Sequence, residues 1–179
     1  MTTASAPPHP LRRLLDGLYD AAAWAAALMM VGTLVMVLLG MLDRYVSIHF
    51  RGTDMYAGYC MAASGFLALA HTLKKNEHIR VTLLLNAVSG KYKKALEVWS
   101  LCAAVLLSGL FFVYSARLSY QSWDFHDIST GNDATPLWIP QIGMALGTLV
   151  LCIAFIDELV LELTGRRAVA DSAEALHNE

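Results

Sequence analysis

The sequence lacks charge over nearly half its length. Four stretches, 21–42, 55–73, 98–116 and 134–156, contain no Asp, Glu, Lys or Arg, and they run 22, 19, 19 and 23 residues. At the helical rise each reaches about 28–34 Å, enough to cross a hydrocarbon core of about 30 Å. Only 16% of all residues are charged and 56% are apolar, a balance that excludes an ordinary water-soluble domain. The longest gap, 74–97, is 24 residues, too short for a separate soluble domain. A net charge of −2 excludes the basic field that nucleic acid would call for.

Other absences narrow the chemistry. Three cysteines, Cys60, Cys102 and Cys152, stand in three different stretches with no CxxC or Cys/His spacing, and read as small apolar residues. No Walker A, GxSxG, HExxH or GxGxxG occurs, so nothing supports an enzyme or a bound cofactor. Small multidrug exporters of four helices need a carboxylate inside the membrane, and none is present here. Asp43, Asp54 and Asp157 stand at the edges of the stretches and read as solvated end residues. A haem-carrying anchor needs axial histidines within helices, yet only His71 falls in a stretch, beside the boundary residue Lys74.

What is present predicts an all-α integral membrane protein. Four transmembrane helices span about 21–42, 55–73, 98–116 and 134–156, within a membrane domain at 16–164. Short tails at 1–15 and 165–179 flank it. Asp16 and Asp20 before a 22-residue apolar run predict a retained first helix rather than a signal peptide. With four spans both termini share a side, and that side carries 10 of the 13 Lys and Arg residues. The three exceptions, Arg44, Arg51 and Arg117, fall on the other side. The positive-inside rule therefore predicts that both termini, and the 74–97 loop, face the cytoplasm. Trp99 falls at the inner boundary, with Trp123 and Trp138 near the outer one, as amphipathic rings prefer.

The inner loop carries a pattern of its own. Val81, Leu84, Leu85, Val88, Tyr92, Ala95, Leu96 and Trp99 recur at the spacing of one helical face. A stretch over about 79–90, too short to span, predicts an amphipathic helix lying in the inner headgroup layer between the second and third spans. Lys91, Lys93 and Lys94, with Trp99, would anchor that region to anionic lipid. Within lipid, small residues let helix backbones approach. Gly143 and Gly147 form a GxxxG in the fourth span, and Gly58 and Ala62 share that spacing in the second. These faces pack either inside the bundle or against a second protein. Pro136 and Pro140 bracket the start of the last span, where helical structure is expected to begin before Pro140 because 140–156 alone is short.

The segment His78-Ile79-Arg80-Val81, following the second span, resembles the small membrane subunit (DctQ-like, or Q, subunit) of TRAP transporters, the tripartite ATP-independent periplasmic transporters. Thr135-Pro136-Leu-Trp-Ile-Pro140, leading into the helix that contains Gly143 and Gly147, is similar to the entry of that family's last span. The likeness covers about 15–165. Two positions depart from it: Thr82 stands where the family commonly has Asp, and Glu77 where a Gly often precedes the His.

The resemblance implies a scaffold subunit, in a bacterial inner membrane, that binds no substrate and no sodium itself. Its partners would be a large multi-spanning membrane subunit, which carries the solute and sodium sites and moves as an elevator, and a periplasmic binding protein that delivers an organic acid. That binding protein would meet the outer face transiently, and the outer-loop residues Asp124, Asp127 and Asp133 are candidate contacts for it. The alternatives are a stand-alone small transporter or homo-oligomeric membrane protein, which needs a polar path between protomers, and a redox-complex anchor.

Overall fold

The computed structural model describes residues 10–46, 52–74, 91–130 and 134–164. They form four helices: α1 (Pro10–Val46), α2 (Thr53–Lys74), α3 (Lys91–Asp124) and α4 (Trp138–Leu163). Among the described residues there is no strand beyond one isolated bridge, Ile128 to Pro136. The expected interfacial helix at 79–90 and the His78–Val81 segment lie outside the described residues, as do 1–9 and the C-terminal tail.

The helices outrun the charge-free stretches at nearly every end. α1 has 37 residues, about 55 Å, and α3 has 34, about 51 Å. Arg117 does not end α3, because no Pro or Gly intervenes before Gly131 and a long cation at a span edge can reach the headgroup layer. Part of the expected outer loop 117–133 is therefore helix, as far as Asp124. α4 begins at Trp138, ahead of Pro140 as expected. Pro140 sits in the first turn, where its missing N–H has no intrahelical partner to lose.

Three of the four helices, α1, α3 and α4, are long and apolar enough to cross a membrane. α2 is long enough at 22 residues, but Tyr56, Tyr59, Ser64, His71 and Thr72 dilute its apolar character. Its position compensates for this. α2 packs on α1 along one side and on α4 along another, and α4 in turn packs on α3, which gives an open row in the order α1, α2, α4, α3. The two edge helices carry most of the exposed large apolar side chains, among them Leu28, Val31, Leu38 and Leu42 on α1 and Leu106, Leu107 and Leu110 on α3. Such faces are stable only against lipid or another apolar surface. The buried core is shared by three of the helices: Tyr19 and Ala22 of α1, Ala70 and Leu73 of α2, and Val150, Leu151 and Ala154 of α4.

Candidate interaction surfaces and a charged cluster at one end of the bundle

Lys74, the last residue of α2, is the hub of a charged cluster. Its Nζ donates to Asp157 Oδ2 of α4 at 3.1 Å and stands 3.4 Å from Asp16 Oδ1 of α1. Arg12 of α1 completes the set, 3.5 Å from Asp157 Oδ2 and 3.8 Å from Asp16 Oδ1. The Asp157 side chain is only 12% exposed and that of Lys74 21%, so these charges are largely removed from water and need one another. Tyr19, 1% exposed, lies beneath them with its ring 4.8 Å from Lys74 Nζ, an added cation–π attraction. One turn into the bundle, His71 Nδ1 approaches Asp20 Oδ1 at 3.9 Å, and here the Asp20 side chain is 70% exposed. Asp157 is thus not the solvated end residue expected of it. Its partners come from helices distant in sequence, and only folding brings them together.

At the opposite end, neutral groups join α2 to the connection between α3 and α4. Between α3 and α4 the two sides of the connection pair through their backbones: Ser129 N–H donates to Thr135 O at 2.8 Å and Leu137 N–H to Asp127 O at 3.0 Å. His126 and Ala134 take left-handed φ values of 54° and 50°, which cost a non-glycine residue energy and persist because the surroundings hold them. Two tyrosines of α2 supply that hold. Tyr59 Oη donates to Ser129 Oγ at 3.0 Å, and Tyr56 Oη shares a 2.8 Å hydrogen bond with Thr135 Oγ1. Trp123 and Trp138 meet edge to face at 4.9 Å. Pro136 sits in this hairpin, facing Ile128 across the isolated bridge.

The glycine spacings divide between two surroundings. A Cβ on Gly143 would lie 2.9 Å from Ala63 Cβ, and one on Gly147 would lie 2.5 Å from the Phe66 carbonyl carbon. Those glycines let α4 approach the α2 backbone within the chain. Gly58 has nothing within 4 Å of such a Cβ, and Gly58 and Ala62 are both exposed on α2. The structure therefore does not bring the four residues together as one face. Lys94 and Trp99 are exposed near the start of α3, while the side chains of Lys91 and Lys93 lie outside the described residues. Among the described residues no group of three or more His, Cys, Asp or Glu side chains is placed to hold a metal.

Sequence reasoning gave none of Arg12, Asp16, Tyr56, Tyr59 and Asp157 a part in joining helices. The one available signal was positional, namely cations closing α2 at the same boundary where Asp157 closes the fourth charge-free stretch. The arrangement locks three helices at one end with charge, pins a hairpin at the other, and leaves broad apolar faces outward. Residues 33–165 match the model of the family described as tripartite ATP-independent periplasmic transporters, DctQ component. No curated protein and no solved structure matches the chain.

Proposed function

The chain belongs to the DctQ family of tripartite ATP-independent periplasmic transporters, and on that premise we propose that it is the stationary scaffold of a sodium-coupled organic-acid uptake system. The family is a transporter component, not an enzyme family. In this reading α2 crosses the inner membrane with the other three helices, and both termini and the charged cluster face the cytoplasm. The large membrane subunit carries the solute and sodium and moves as an elevator, and a periplasmic binding protein delivers the solute. The match over 33–165 carries the reading. Two further observations support it. Between the charged end and the outer hairpin α2 and α4 hold no Asp, Glu, Lys or Arg, so this chain offers a charged solute no path of its own. The flanks of the row are apolar and broad, the form a subunit needs in order to widen and steady a moving partner in lipid.

The lysines that open α3 test the bracing role. Replacing Lys91, Lys93 and Lys94 together with Glu removes the attraction of that end to an anionic surface, worth about 1 kcal/mol per residue. Reduced uptake by the assembled transporter, or a reduced yield of complex, is expected. Uptake and yield both unchanged would contradict the role. Replacing sodium with choline in the same assay should abolish uptake, and uptake that persists would contradict sodium coupling.

A further inference from the structure

We propose that α3 carries a groove for one anionic phospholipid at the charged end of the bundle. Lys94, Ala95, Val98, Trp99 and Cys102 line an open, predominantly apolar groove of about 560 Å³, within the range of about 300–1,000 Å³ common for ligand sites. Lys94, Val98 and Cys102 follow one another at intervals of four residues, so the groove runs along the helix axis. It starts at an ammonium group and descends about 12 Å into the charge-free part of α3. A phospholipid stands in the same way, with its head at the boundary and its chain parallel to the helix.

Charge selects the head. Asp16 and Asp157, the carboxylates of the cluster, are held by Arg12 and Lys74. Among the described residues Lys94 forms no ion pair. Trp99 is 69% exposed at the groove wall, where an indole N–H can donate to phosphate or ester oxygens. The exposed Trp24 on α1 provides a contrast. It lies inside the charge-free stretch 21–42 with no cation beside it, so lipid there is not selected by charge. The proposal requires only that α3 crosses the bilayer and does not rest on the transport role.

The test uses the full chain in phosphatidylcholine vesicles, doped at equal mole fraction with chain-brominated phosphatidylglycerol or chain-brominated phosphatidylcholine. The Trp99 signal is taken as the difference between the native chain and Trp99→Phe. Brominated phosphatidylglycerol should occupy the groove about fivefold more readily, the factor one lysine contributes at an anionic surface. Lys94→Glu should remove that preference, Lys94→Arg should retain it, and Val98→Phe, which fills the groove without adding an indole, should lower quenching by both lipids. Equal quenching in the native chain would reduce the site to ordinary surrounding lipid, and a preference that survives Lys94→Glu would equally overturn the proposal. Quenching by neither lipid would place protein over the groove, a second copy or a partner, and would also overturn it.

Discussion

At one end of the bundle α1, α2 and α4 are joined by charges, with Lys74 between Asp16 and Asp157 and Arg12 bridging the same two carboxylates. At the other end Tyr56 and Tyr59 hold the α3–α4 hairpin through hydroxyl contacts, and Trp123 packs on Trp138. Both ends solve the same problem, fixing helices whose apolar faces gain little from one another in lipid. They solve it at different strengths and with different dependence on the medium. The charged end is the more vulnerable to loss of one partner, since an orphaned, largely buried carboxylate is costly. The neutral end consists of several small and separable contacts. The charged end also joins three helices at once, whereas each tyrosine joins one helix to one turn.

Substitutions test the difference between the two ends. The largest effect should come from neither end but from the seam between them. Gly147→Val would drive a side chain into the Phe66 backbone, which has no room to move aside. The expected loss exceeds about 4 kcal/mol, seen as failure to recover monodisperse protein in mild detergent. Normal recovery would mean that α2 and α4 do not approach as described. Next in size is Lys74→Leu, which leaves Asp157 and Asp16 with Arg12 alone. A cost of about 2 kcal/mol is expected, below that of a fully buried pair because both partners are partly exposed. Exchanging the two charges, Lys74→Asp with Asp157→Lys, should restore part of it, and the lowering of the unfolding temperature by each variant checks the order.

Smaller still, Tyr56→Phe and Tyr59→Phe should each cost about 0.6–1 kcal/mol, the usual worth of one hydrogen bond within a membrane. Proteolysis of the 125–137 hairpin should speed up in both, with the charged end unaffected. A loss in either one as great as that of Lys74→Leu would erase the contrast between the ends. The smallest change is Asp20→Asn. Its contact with His71 is long and Asp20 is well exposed, so under about 0.5 kcal/mol is expected.

The long apolar helices were legible in the sequence because lipid imposes a simple demand, a run of residues without charge and long enough to span. The 134–156 stretch became α4 with its start before Pro140 as read, and the excess length of α1 and α3 lies in mixed sequence that helices tolerate outside the hydrocarbon. Absence of charge proved weaker than apolarity at 55–73. That stretch meets the first criterion, but α2 falls short of the second, since its place in the row relieves it of part of the lipid contact. The two glycine spacings looked alike in sequence because spacing gives a face and not the neighbour it meets. Only the packing of α4 on α2 separates Gly143 and Gly147, in tight contact, from the open Gly58. Asp157 was misjudged for a related reason. Its partners lie at positions 12 and 74, and no local pattern links them to it. The family resemblance, in contrast, was readable from short motifs, and the match over 33–165 agrees with it.

The scaffold role is tested most directly by affinity purification of this chain in mild detergent after co-expression with the neighbouring genes of its operon. The account predicts recovery of one large multi-spanning membrane protein in stoichiometric amount. Recovery of this chain alone, as a stable homo-oligomer, would contradict it.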